Sequence, residues 1–208
     1  LPFAGRPLIE HALSILTEAG LSAAIAGVPP DRPGSVGQSA GTNPQVSGAL
    51  AAYAPVVDDP EPGLGPLAGI CAALAAASSR FAVFLPVDLP LLPPSLIVYL
   101  LYRARISGSA VTVPSANGFA QTFPVVLDRS TLPALQDELR SGKRGCFSAF
   151  RAAASCLGQP IASVAVELLA QAGEVSHPPG LPPIHWFLNV NSPQDLRSAE
   201  VLQSRAIA

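Results

Sequence analysis

Charge is scarce in this chain. Only 12% of its 208 residues are Asp, Glu, Lys or Arg, and they nearly cancel, to a formal −2. Without a basic excess no long-range field gathers nucleic acid or an anionic membrane surface, so neither is expected as a partner. The three cysteines, Cys71, Cys146 and Cys156, lie in apolar helical stretches and show no CxxC spacing. That speaks against zinc and disulfides and for buried reduced thiols in the cytoplasm. No unbroken apolar run reaches the roughly 18–20 residues of a membrane span. The richest, LAGICAALAAA at Leu67–Ala77, is short and dominated by alanine. The N-terminus lacks the basic and apolar regions of a secretion signal. GxSxG is absent too, and His11, His177 and His185 stand in no nucleophile context, so covalent catalysis finds no support.

What remains is 49% hydrophobic, enough at this length for one sizeable core and cramped for two. Residues 1–208 therefore read as a single domain. GRPLIEHALSILTEAG is framed by Pro7 and Gly20 as a helix, with Leu8, Ile9, Ala12, Leu13 and Leu16 on one stripe. Short apolar runs at Ser22–Val28, APVVDD, FAVFLPVD, SAVTVP, AQTFPVVL and WFLNV read as strands. GPLAGICAALAAASS, PPSLIVYLLYRA, STLPALQDELRSG, CFSAFRAAA and the segment after Ser192 and Pro193 read as helices, with a further helix over 44–53. Residues 158–184 show no clear pattern, and HPPGLPP is loop. Strands that are solid apolar runs, alternating with helices, point to an α/β three-layer sandwich with a mostly parallel sheet. Cys71 should face that sheet, sharing its side with Leu67, Ile70 and Leu74.

One acid breaks the greasiest stretch, FAVFLPVDLPLLPPSL. A lone carboxylate there needs a partner or an open site, because burying it alone costs several kcal/mol. Asp88 sits just past a strand; Asp58 and Asp59 end another, and Asn189 and Asn191 a third. In open α/β sheets ligands bind at the carboxyl ends of strands. Oxygen side chains gathered there suit Mg²⁺, which takes one or two carboxylates plus water and substrate phosphates. The plainer role of turn-former or helix cap is preferred for Asp59 and Ser192 and is evenly balanced for Asp58 and Asn191. Lys143 and Arg144 read as a solvated turn.

LPFAGRPLIEH, DDPEPGLGPLAGI, FLPVDLPLLPPSL and FLNVNSPQDL occur in the order and spacing of the molybdenum cofactor guanylyltransferases, the MobA-like nucleotidyltransferases, which the chain resembles nearly end to end. The resemblance implies a Rossmann-like nucleotidyltransferase fold. It also implies transfer of GMP from GTP to molybdenum-bound molybdopterin, with release of pyrophosphate. It makes Asp88 the catalytic residue that binds Mg²⁺ and GTP, Asp58 a second GTP contact with Asp59 as the register alternative, and Asn191 a residue near the metal. GTP and molybdopterin are then the substrates, and molybdopterin-handling proteins the partners. The family's opening strand and Gly-rich loop, LAGGxSxRMGxDK, have no counterpart before LPFAGRPLIEH. A gap where that central strand would sit, beside the N-terminus, is therefore expected, as is inactivity of the chain in this form. The alternatives are a related transferase using CTP or a sugar-phosphate acceptor, and a binding module without catalysis. Asp58, Asp88 and Asn191 should converge on one rim.

Overall fold

The computed structural model describes residues 2–28, 49–59 and 63–207. The chain opens with a tight hairpin, β1 (Pro2–Phe3) and β2 (Arg6–Pro7), turned by Ala4 and Gly5 at φ 47° and 78°. Helix α1 (Leu8–Glu18) follows directly. Pro7 precedes its first turn, and Gly20 takes the left-handed φ of 75° just beyond its end, the conformation only glycine adopts without cost. His11 is buried, its Nε2 2.8 Å from the Phe3 carbonyl and its ring edge-on to Phe3. It ties the hairpin to the helix, a structural role.

β3 (Ile25–Val28) and β4 (Val56–Asp58) pair in parallel. The remaining strands form a second sheet in the order β5 (Phe81–Phe84), β8 (Val125–Asp128), β6 (Val111–Ala116), with the two-residue β7 (Phe119–Ala120) and β9 (Ala162–Ala165) both on β6. β9 runs parallel to β6, while β8 runs against both β5 and β6. Strands β5, β6 and β9 thus share one direction, and a reversed strand sits among them. AQTFPVVL, read as one strand, is divided between β7 and β8; Pro124 lies at the break, where its missing N–H leaves no donor for a ladder.

Helices cover both faces of this sheet, giving the three layers. The period-2 alternation of the strands sorts their side chains between them. Val111, Val113, Val125 and Leu127 join α2 (Pro66–Ala76), α4 (Leu132–Arg140) and α5 (Cys146–Cys156) in one cluster. Val126 points the other way, toward α1, α3 (Pro94–Ser107), α6 (Val166–Gln171) and α7 (Pro193–Ile207). β5 divides likewise, Ala82 and Phe84 to the first cluster, Phe81 and Val83 to the second. Cys71 faces the sheet beside Leu67, Ile70 and Leu74. Cys146 is buried as well, and burial pushes its thiol up; Cys156 is exposed at the end of α5, against expectation.

Two further readings are corrected. The stretch 158–184, illegible in sequence, contains β9 and α6. WFLNV is no strand: Trp186 closes a 3₁₀ turn begun at Pro183–His185, and residues 188–191 have no ladder. Its backbone instead meets the Pro-rich loop after β5, where no strand offers an edge. Of the helix expected over 44–53, residues 44–48 lie outside the described residues, and 49–51 are helical.

Candidate functional site

Among the described residues no ladder joins β3 to β5. Between them lies a slot of about 1160 Å³, walled by Ala26 of β3, by Ala24 just before it and by Phe81–Phe84 of β5. Gly69, Ile70 and Ala73 of α2 close one side, and Leu16 and Leu101 lie on the other. Phe3, near the N-terminus, belongs to the same apolar cluster as Leu16, Leu85 and Leu89, which also line the slot.

Asp88 stands along this slot together with Asn189. It comes four residues after the end of β5, on the loop Leu85–Pro93. Pro86, Pro90, Pro93 and Pro94 fix φ there and remove four backbone donors. The loop's carbonyls must then find donors elsewhere. A strap over residues 176–190 provides them. Val190 N–H donates to the Asp88 carbonyl at 2.9 Å. Ser95 and Ser176 exchange two hydrogen bonds, of 2.7 and 3.1 Å. The strap is itself anchored by Trp186, 1% exposed, whose Nε1–H donates to the Leu181 carbonyl at 2.7 Å.

The side chain of Asp88 is the unusual group. Its Oδ1 is buried and, among the described residues, has no hydrogen-bond partner. A buried carboxylate oxygen without a donor is unfavourable unless a cation or a ligand donor completes it. Among the described residues no three His, Cys, Asp or Glu side chains cluster as a metal cage. A single carboxylate on an open crevice nonetheless matches Mg²⁺, which keeps several waters and shares substrate phosphates.

The other expected residues separate. Asp58 ends β4 and is exposed, whereas Asp59 is buried, 3% exposed. Neither appears along the slot among the described residues, although Val57 does. Asn191 is exposed and its N–H is spent on the Asp195 carboxylate at 3.2 Å. Asn189, two residues earlier, is the one beside Asp88; the register of FLNVN carried no sign of which Asn would be chosen. Ser192 behaves as the cap expected of it. Its N–H and hydroxyl both donate to Asp195 Oδ2, at 2.9 and 2.8 Å, and its Oγ accepts from the Asp195 N–H at 3.2 Å. This is a reciprocal capping box, and the Ser192 hydroxyl together with the neighbouring N–H groups holds the Asp195 carboxyl below its ordinary range. Lys143 pairs with Glu138 on an exposed turn, as the sequence suggested.

The profile of the MobA-like NTP transferase domain matches residues 1–156. A molybdenum cofactor guanylyltransferase of Sinorhizobium fredii is 30% identical over 164 residues, covering 76% of this chain and 69% of that protein. A probable molybdenum cofactor guanylyltransferase of Haloferax mediterranei is 29% identical over 141 residues, 68% of this chain. The chain spans 60% of the length of that relative and 41% of a Pseudomonas putida guanylyltransferase to which it is 38% identical over 80 residues. The molybdopterin-guanine dinucleotide biosynthesis protein A of Archaeoglobus fulgidus superposes with a TM-score of 0.71 at 19% identity, covering 99% of this chain and 89% of that one. The 2-C-methyl-D-erythritol 4-phosphate cytidylyltransferase of Thermus thermophilus superposes at 0.63, also at 19% identity, over 98% and 92%. The fold is thus that of the nucleotidyltransferases, and the chain belongs to the MobA-like NTP transferase family.

Proposed function

We propose that the protein transfers GMP from GTP to molybdopterin, with Asp88 at the reacting phosphates. The observation that carries this reading is the buried Oδ1 of Asp88, partnerless among the described residues, on an open crevice. The named activity of the guanylyltransferase relatives supports it. Asp88 would hold Mg²⁺ through that oxygen, with Asn189 or Asn191 beside it and Asp58 toward the GTP. When bound, the ion offsets the repulsion between the anions brought together and aligns them. The chain's own contribution is to present one carboxylate at a fixed position and to wall the crevice with apolar side chains that exclude water. Molybdopterin-handling proteins are the partners this activity calls for. The location is cytoplasmic, a reading supported by the two buried thiols; among the described residues no helix is long and apolar enough to cross a membrane.

The test is Asp88→Asn, which keeps the shape and removes the charge. Pyrophosphate release from GTP with molybdopterin supplied, followed across a Mg²⁺ titration in a protein that carries the Gly-rich segment, should fall on the order of a thousand-fold. Normal turnover at limiting Mg²⁺ would make Asp88 an ordinary loop residue and end the proposal.

A further inference from the structure

We propose that Gln121 determines which acceptor the site takes: its side-chain oxygen accepts a hydrogen bond from the amino-bearing edge of the acceptor's pterin ring. The inference rests on the reading of Asp88 and its substrates given above, and extends it to a segment that the sequence did not mark as part of a site.

Strand register places the segment. β5 and β8 run antiparallel, with Phe84 opposite Val125. The residues before Val125 therefore continue past the end of β5, alongside the loop that leads from Phe84 to Asp88. Gln121 and Phe123 accordingly line the same slot as Asp88 and Asn189. They stand on the β8 side of β5, whereas β3 and β4 lie across the slot. Asp58, assigned toward GTP, ends β4. In phosphoryl transfer the attacking oxygen arrives opposite the leaving one, so the acceptor approaches Asp88 from the side that GTP leaves open. That is the side of residues 121–123.

The atoms on offer there select the ligand. The Gln121 backbone is pinned by its N–H on the Pro114 carbonyl at 2.8 Å, and its side-chain amide by Nε2–H on the Phe119 carbonyl at 3.1 Å. Because that partner is a carbonyl, only the NH₂ end of the amide can face it. Oε1 is left at the other end and, among the described residues, accepts no hydrogen bond. Gln121 thus presents an acceptor at a fixed position. Phe123 lies close by along the slot, its ring held edge-on to Phe150 at 6.1 Å and 87°. Residues 121–123 carry no cation, so they suit a flat, uncharged ring better than a phosphate. An aromatic side chain beside a fixed hydrogen-bonding group is how flat heterocycles are read: stacking supplies affinity and the hydrogen bond supplies the choice. The 2-amino-4-oxopyrimidine edge is common to pterin and guanine, and its amino group is the donor that Oε1 takes. Oxygen in place of that amino group would set carbonyl against carbonyl and leave both without a donor.

The experiment measures binding of pterin and of lumazine, its analogue with oxygen in place of the 2-amino group, to the full chain by the anisotropy of their own fluorescence. The unaltered protein should prefer pterin by about tenfold, the scale of one hydrogen bond exchanged for an unpaired contact. Gln121→Leu keeps the bulk, removes the acceptor and should bring the two probes to equal affinity, a change that a merely structural side chain would not make. Phe123→Leu should weaken both probes about tenfold and keep the preference. A second arm compares Mg²⁺–GTP with Mg²⁺–xanthosine triphosphate, which differ at the same ring position, by titration calorimetry; Gln121→Leu should leave their ratio unchanged. Absence of a pterin preference in the unaltered protein, or a preference that survives Gln121→Leu, overturns the inference. A ratio that changes for the nucleotides instead assigns Gln121 to guanine and overturns it as well. Should Phe123→Leu not fold, the Gln121 comparison decides, because that side chain is half-buried and its backbone bond is untouched by the substitution. Asp88→Asn separates the two readings. If it binds Mg²⁺–GTP as the unaltered protein does, the reading of Asp88 fails whatever the pterin arm gives. If it loses Mg²⁺–GTP while Gln121→Leu keeps the pterin preference, the inference alone is overturned.

Discussion

Replacing Trp186 by Phe tests how firmly the strap is anchored. The indole is 1% exposed, and its Nε1–H makes a 2.7 Å bond to the carbonyl of Leu181, a residue itself only 5% exposed. Phenylalanine supplies no donor, so that carbonyl is left buried and unpaired, at about 1–3 kcal/mol. The smaller ring also leaves a void. Scaled from the 3–5 kcal/mol of removing a buried Trp or Phe ring to Ala, loss of roughly a third of the ring atoms costs about 1–1.5 kcal/mol. The sum is about 2–4 kcal/mol, a large share of the ~5–15 kcal/mol that holds a typical domain folded. For a chain of this size each kcal/mol lowers Tm by about 2–4 °C, so a fall of about 5–15 °C is expected in a far-UV circular dichroism melt. A Tm within about 2 °C of the unaltered protein would refute the reasoning, since neither the bond nor the packing could then matter. Trp186 is also the chain's one tryptophan, so the emission of the unaltered protein reports on the strap directly. It should shift to longer wavelength in urea together with, or ahead of, the loss of helix signal.

Two further outcomes follow from buried polar groups. Thr112, 0% exposed on β6, has a hydroxyl with no partner among the described residues; Thr112→Val keeps the shape, removes that burden and should raise stability by about 1 kcal/mol. A raised urea midpoint at unchanged slope is the expected result, and a lowered midpoint would refute it. At Asp128, burial favours the neutral acid, but the Ser130 N–H and the Arg80 guanidinium at 2.7 Å outweigh it and hold the carboxyl below its ordinary range. The unfolded chain therefore takes up this proton first as pH falls. The stabilisation is fully present above the unfolded value of about 3.9 and is lost as pH drops through the lower folded one. Asp128→Asn should cost about 1–2 kcal/mol at pH 7, toward the low side because Arg80 is largely exposed. It should also flatten the acid limb of stability against pH, and a limb as steep as before would assign that limb to other carboxylates.

The sequence disclosed those elements whose limits are chemically marked. Pro7 with Gly20 and Pro193 after Ser192 frame helices because each residue fits one end only. Asp88 stood out because a charge in an apolar run has few explanations. WFLNV misled because an apolar run states that a segment is buried without stating against what; Val190 bonds a loop carbonyl rather than a strand. The same limit hid Ser176, whose backbone pairs with the Ser95 hydroxyl 81 residues away in the chain. Such ties depend on where the backbone passes, and no local pattern of residue types encodes them. Asn189 and Asn191 differ only in register, which the turn and the Asp195 capping box decide.

The slot between β3 and β5 also divides the molecule mechanically. The β3–β4 pair is coupled to the larger sheet through α2, by side-chain contact rather than by a shared ladder. A two-stranded ribbon held in this way is a separate cooperative unit, free to open at a lower cost than the central strands. Its amides, such as Ile25 N–H on the Pro55 carbonyl at 2.8 Å, would exchange with solvent well before those of β6 and β8. The flanks facing the slot are two lines of backbone donors and acceptors on opposite walls of one groove. Any extended segment that reached it would zip to both at once and turn two sheets into one elastic body. An unpaired flank of this kind is a template for a strand, and its register is set by whichever segment reaches it.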